Sequence, residues 1–209
     1  MERRATKQPC QLREDGDQKA FVGYAAVFHR DGDDGTEYKL WDRVFERIDP
    51  SAFDSALKRK DDAAGLFNHD PDNLLGRVSS NSLKLSVDKT GLRYEIPYDA
   101  EDPDHQRVAR KIQRGDLAGS SFAFRVLKAE WSEDVEAENE IRTIKDVELY
   151  DVGPVTYPAY RATTAGTRND ATKQEYDAWK QHQQHIAQER ADQIAMHRLA
   201  RMKEETRAL

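Results

Sequence analysis

A single cysteine, Cys10, stands in the whole 209-residue chain. That excludes an internal disulfide framework and a cysteine-rich zinc site, and a reducing compartment is the simplest setting for it. Long hydrophobic runs are missing as well. No segment nears the ~18 consecutive apolar residues that a membrane span needs, so a soluble chain is expected. The opening Met1-Glu2-Arg3-Arg4-Ala5-Thr6-Lys7 has no apolar stretch behind it and does not read as a secretory signal. Basic charge is in the minority, 33 Lys plus Arg against 39 Asp plus Glu, for a formal net charge of −6. Such a balance argues against non-specific nucleic-acid binding, because phosphates call for a surplus of Lys and Arg. Neither GxGxxG nor GxxxxGK[ST] occurs, which removes the common phosphate-cradling loops.

What is present divides the chain unevenly. Residues 1–18 are polar with alternating charge and read as a flexible tail. Strand-like runs follow at 20–28 and 44–48. Asp49-Pro50 then suits a helix start, Asp49 as the N-cap and Pro50 as the first helical residue. Short strands are expected at 63–68 and 74–80. Leu83, Leu85 and Val87, then Leu92, Tyr94 and Ile96, alternate about the turn Asp88-Lys89-Thr90-Gly91, which is a hairpin pattern. Asp102-Pro103 opens a helix that carries Val108 and Ile112 on one stripe and ends at Gly115. A strand pair is expected at 119–131 and 139–152. Residues 163–172 are small and polar, as a linker is. From Lys173 onward there is no Gly or Pro and the residues favour helix, with a thin, irregular apolar stripe. The expected class is α+β and mainly antiparallel: a sheet or barrel with helices outside it, plus a long C-terminal helix.

Three segments could carry chemistry. His69 ends an apolar strand beside the turn residues Asn68 and Asp70. A general base needs such a held but reachable position, although a plain loop histidine capped by Asp70 fits the same pattern. In Gly119-Ser120-Ser121-Phe122-Ala123-Phe124-Arg125, strand parity puts Ser120 with the two phenylalanines and Ser121 with Ala123 and Arg125. If one serine is a nucleophile, parity favours Ser121; an ordinary edge strand is the alternative. In Val147-Glu148-Leu149-Tyr150-Asp151-Val152 a carboxylate lies in an apolar strand, where it needs a partner. Parity sends Glu148 and Asp151 to opposite faces, so only one can serve a given site. Together the segments supply a nucleophile, a base and an orienting acid. Other groups form weaker sets. Cys10 lies in the expected tail, where no thiol nucleophile is held still. His69, Asp70 and Asp72 lack a second ligand cluster for a metal. His182, His185 and His197 fall on the C-terminal helix, where a solvated face is the simpler reading.

In order and spacing these blocks resemble the prohead maturation proteases of tailed bacteriophages, a serine peptidase family related in fold to herpesvirus assemblins. The likeness runs over about residues 20–162. Its blocks are Gly23-Tyr24-Ala25-Ala26-Val27-Phe28, Phe45-Glu46-Arg47-Ile48-Asp49-Pro50, Asn68-His69-Asp70 with Leu75-Gly76-Arg77, Gly119-Ser120-Ser121-Phe122-Ala123-Phe124 and Tyr150-Asp151-Val152-Gly153-Pro154-Val155. The resemblance implies a closed antiparallel β-barrel with surrounding helices. It implies His69 as general base, Ser121 as nucleophile and Asp151 as acid, with Glu148 the alternative acid. Ala123 stands where the family has Gly, Asp151 where it has Glu, and Gly153 where it has Ser. Asp is one methylene shorter than Glu, so with Asp151 as the acid its strand has to lie closer to His69. Backbone N–H groups are the default oxyanion donors, with Arg77 a candidate helper. The domains implied are a 1–18 tail, a 19–162 protease domain, a 163–172 linker and a 173–209 helix, the last a candidate tether to scaffold or capsid. The implied substrates are scaffolding protein, or a scaffold-like extension of the major capsid protein, and the enzyme itself. The portal protein is a further candidate partner and a homodimer a candidate assembly. No cofactor, metal, nucleic acid or membrane is implied, and the setting is the assembling prohead in the bacterial host cytoplasm. A catalytically inactive scaffolding protein on the same fold is the competing reading. A metal-dependent nuclease on His69 and its aspartates is a third.

Overall fold

The computed structural model describes residues 1–16, 18–117, 119–158 and 170–207. Its strands are β1 (Glu2–Thr6), β2 (Gln11–Asp15), β3 (Gln18–Val27), β4 (Tyr38–Trp41), β5 (Val44–Ile48), β6 (Ala64–Leu66), β7 (Leu74–Arg77), β8 (Lys84–Val87), β9 (Gly91–Pro97), β10 (Gly119–Asp134) and β11 (Asn139–Val155). Its helices are α1 (Asp54–Arg59), α2 (Pro103–Gln113) and α3 (Asp170–Arg207). The apolar alternation expected at 83–96 becomes the antiparallel pair β8–β9. The acidic loop near 134–138 joins β10 and β11 into a long hairpin.

The described strands do not form the closed barrel that the family resemblance implies. The strands make two open sheets. The larger runs β1-β10-β11-β5-β4, with β6 and β7 attached through β11; the smaller runs β2-β3-β9-β8. The pairing is also mixed, because β11 is parallel to β5 along Glu140–Ile144 and parallel to β6 at Asp151 and Val152. The physical reason lies in β11. Its 17 residues serve two different partners on one side, so the sheet forks into β5–β4 and β6–β7 arms and cannot run round as one ring. At the rim, side chains bridge strands that no ladder joins: Thr6 Oγ1 donates to the Tyr24 carbonyl at 3.1 Å, and Arg4 of β1 reaches Glu46 of β5.

The core lies between the sheets. Phe21, Tyr94 and Ile96 come from the smaller sheet, Phe122, Phe124, Ile144 and Val152 from the larger, and Phe53 from the turn before α1. Phe122 stacks on Phe124 at 4.5 Å and takes the edge of Phe53 at 5.7 Å. Each such ring contributes on the order of 1.5–3 kcal/mol on burial. The segment 1–18, expected as a tail, instead supplies β1 and β2, and Cys10 between them is buried in this core. Burial pushes its thiol up to about 12.

α2 starts as expected, with the Asp102 carboxylate accepting from the Asp104 and His105 N–H groups and Pro103 at the first helical position. α1 does not start as expected. Asp49 is spent on a tight turn, accepting from Ser51 N and Ser51 Oγ and pairing with Lys145 at 2.6 Å. The helix begins only at Asp54. Of the linker expected at 163–172, residues 163–169 lie outside the described residues and 170–172 are helical. α3 is a 38-residue helix with mostly exposed side chains. It carries its own i,i+4 pairs, Lys173–Asp177 and His185–Glu189, and a Tyr176–Trp179 ring contact.

Candidate active site

The order of strands across β11 sets the site. On one side of β11, Ser121 of β10 lies opposite Gly153 and Ala123 lies opposite Asp151. On the other side β6 pairs with Asp151 and Val152, and the chain leaving β6 turns at once through Asn68 and His69. A serine, a histidine and a carboxylate from three distant segments therefore meet over one strand.

The turn that carries His69 is built by its neighbours. Asn68 and His69 both take left-handed backbone angles, φ +58° and +57°. Such conformations cost about 1–3 kcal/mol each outside glycine and persist only where surroundings hold them. Here Asn68 is gripped by the end of β11. Its N–H donates to the Pro154 carbonyl at 3.0 Å, its Oδ1 accepts from Thr156 N at 2.8 Å, and its Nδ2 donates to Thr156 Oγ1 at 3.2 Å. Asp70 closes the turn, accepting from Asp72 N at 3.0 Å and from Asn73 Nδ2. Its carboxylate is thus occupied by its own turn.

His69 Nδ1 donates to Asp151 Oδ1 at 2.5 Å, and His69 Nε2 lies 2.6 Å from Ser121 Oγ. All three side chains are buried or nearly so, Ser121 with 2% of its surface exposed. A carboxylate on Nδ1 fixes the tautomer that turns the Nε2 lone pair toward the serine. Glu148, the alternative acid, shares a face with Asp151 instead of lying opposite, because the register slips at Tyr150, but its carboxylate is engaged away from His69: it pairs with Arg125 at 2.8 Å and accepts from the Tyr150 hydroxyl at 2.7 Å. Ser120 faces away, into the core, where its Oγ shares a 2.9 Å hydrogen bond with the Tyr94 hydroxyl.

Arg77 is not among the groups touching Ser121. Its Nε donates to Asp62 at 2.9 Å on the exposed side of β7. His185 pairs with Glu189 on α3, where His182 and His197 are exposed as well. Among the described residues, no three His, Cys, Asp or Glu side chains gather as metal ligands do.

Two positioning features escaped the sequence reading. A Cβ on Gly153 would stand 2.0 Å from the Leu66 carbonyl oxygen, so only glycine lets β6 lie this close to β11. That approach brings the turn after β6 within reach of the short Asp151 side chain. The other is Arg4, whose carbonyl accepts from Ser121 Oγ at 2.7 Å. Asn68, ahead of Asp70-Pro71, was the available signal for the left-handed turn. Nothing local signals that Arg4 meets Ser121.

With this geometry in view, the comparisons with known proteins converge. A family model described as caudovirus prohead serine protease matches residues 8–181. The prohead protease of Escherichia phage T5 is 28% identical over 115 residues, which are 55% of this chain and 50% of that protein. The chain thus spans about half the length of that relative. No solved structure gives a significant match.

Proposed function

The chain belongs to the caudovirus prohead serine protease family, and on that premise we propose that it is the endopeptidase of capsid maturation, with Ser121 as nucleophile, His69 as general base and Asp151 as orienting acid. The observation that carries this reading is the unbroken hydrogen-bonded run Asp151–His69–Ser121, at 2.5 and 2.6 Å. A serine hydroxyl is scarcely ionised at neutral pH and needs such a base. Ser121 Oγ adds to the scissile carbonyl carbon while its proton passes to His69 Nε2. The imidazolium is stabilised by Asp151 and returns that proton to the leaving amine as the C–N bond breaks. Water, deprotonated by the same histidine, then releases the acyl group as a carboxylate.

The substrates in this reading are scaffolding protein or the scaffold-like extension of the major capsid protein, inside the prohead assembling in the host. The chain itself is a further substrate, and α3 is a tether to scaffold or capsid. The test is co-expression with the capsid and scaffold proteins of the same phage, read by intact mass. Trimming by the wild type and none by Ser121→Ala is expected. Equal trimming by both would remove Ser121 from the role, and shells formed without trimming by either would favour an inactive assembly protein. Normal packaging of a chain shortened before α3 would remove the tether.

A further inference from the structure

β1 lies where an extended peptide would lie beside a serine nucleophile. It is an edge strand antiparallel to β10, with Ala5 opposite Ser121 and Arg4 opposite Phe122. The Arg4 carbonyl is the one in contact with Ser121 Oγ, so the Arg4–Ala5 peptide bond is presented to that hydroxyl. Main-chain pairing gives such a strand affinity, and side-chain pockets give it selectivity. Arg4 has such a pocket. Its Nε donates to Glu46 Oε1 at 2.6 Å and its guanidinium carbon lies 5.7 Å from the centre of the Phe124 ring; the further 2.9 Å bond to Glu2 is internal to β1. Glu46 is 0% exposed, in the larger sheet, and also pairs with Arg142 at 2.8 Å. A charge-assisted hydrogen bond to a buried carboxylate selects a cation strongly.

The protons show what the docked strand does. Ser121 has one hydroxyl hydrogen and two acceptors in reach, His69 Nε2 and the Arg4 carbonyl. A hydrogen given to Arg4 is not available to the base. Docked β1 therefore fills the edge of β10 and also diverts the proton on which attack depends.

We propose that the β1-facing edge of β10 is the substrate cleft, that Glu46 selects a basic residue on the acyl side of the scissile bond, and that β1 is a tethered occupant that must leave before substrate enters. This rests on Ser121 being the nucleophile. A peptide entering in place of β1 puts its arginyl carbonyl carbon at Ser121 Oγ. The serine proton goes by way of His69 to the departing amine, and water frees the arginyl carboxylate.

The test uses the full chain, as wild type and as Arg4→Glu, whose new carboxylate is repelled by Glu46 and frees β1. The probes are two labelled peptides, Glu-Arg-Arg-Ala-Thr and the same with alanine for the second arginine. Arg4→Glu is expected to cleave the first peptide, between its second arginine and alanine, with kcat/KM about fivefold or more above wild type. The alanine peptide should be cut about tenfold or more less efficiently, a gap that Glu46→Gln narrows. The peptide pair keeps its meaning even where Glu46→Gln folds poorly. A fluorophosphonate separates the two levels. If it labels Ser121 while both peptides are cut alike, or while Arg4→Glu is no faster than wild type, the cleft assignment is overturned. If it does not label Ser121 in either chain, the nucleophile assignment falls and the cleft falls with it.

Discussion

At the scale of single residues, one carboxylate has the geometry of the acid and another does not. Asp151 holds His69 Nδ1, whereas Glu148 is engaged with Arg125 and Tyr150. Asp151→Asn is expected to lower kcat on a peptide substrate by about three to four orders of magnitude with little change in KM, because the histidine loses the tautomer that accepts the serine proton. Glu148→Gln should leave kcat within about twofold, as surface changes do. A steady-state assay of the two variants checks this, and the reverse ranking would make Glu148 the acid. Residues of this kind were legible in the sequence. Strand parity separated Ser121 from Ser120, because a strand has only two faces, but it failed for the acids: a bulge at Tyr150 breaks the alternation and brings Glu148 and Asp151 to one face. Arg4 and Glu46 were not legible: they stand 42 residues apart and meet only through the curl of a sheet.

Elements place those residues, and their junctions are where changes should tell. The β6–β11 junction depends on Gly153. Gly153→Ala drives a methyl into the Leu66 backbone and must push β6, and His69 with it, away from Asp151. Overpacking of this kind typically costs about 1–3 kcal/mol, and activity should fall about tenfold or more; thermal melting and kcat measure the two effects. The turn after β6 makes a parallel case. Asn68→Ala loses both the grip on Thr156 and the side chain that tolerates the left-handed angle, so about 1–3 kcal/mol of stability should go in a urea titration. The turn before α1 gives a pH signature. Burial alone would raise the Asp49 carboxyl, but Lys145 and Ser51 outweigh it and hold the group at about 2, below its ordinary 3.8. A folded-state value below the unfolded one means stability present above pH 3.8 and lost as pH falls toward 2. Urea midpoints should drop through that window in the wild type and less steeply in Asp49→Asn; identical slopes would contradict it. The sequence showed Asp49 as a capping residue, which it is in chemistry. It did not show that a turn and Lys145 had prior claim on it.

For the whole molecule, hairpins and helices were readable from alternation and caps, while sheet closure was not. Closure depends on which strand lies beside which, and β11 divides its length between two parallel partners. Periodicity within a strand carries no information on that choice. The N-terminal segment makes the same point: its polar, charged sequence resembles a tail because β1 and β2 are outer strands of their sheets, yet they bury Cys10. The thiol, raised to about 12 by burial, should react with a disulfide reagent about a hundredfold or more slower in buffer than in urea. Equal rates would return residues 1–18 to a loose tail. The claim on which the rest depends is that His69 activates Ser121. Its most direct measurement is the rate at which a fluorophosphonate modifies the full chain, with the modified residue mapped by peptide mass spectrometry. Modification is expected at Ser121, lost in Ser121→Ala, kept in Ser120→Ala and slowed about a thousandfold in His69→Ala. Modification elsewhere, or at Ser121 with undiminished rate when His69 is gone, would contradict it.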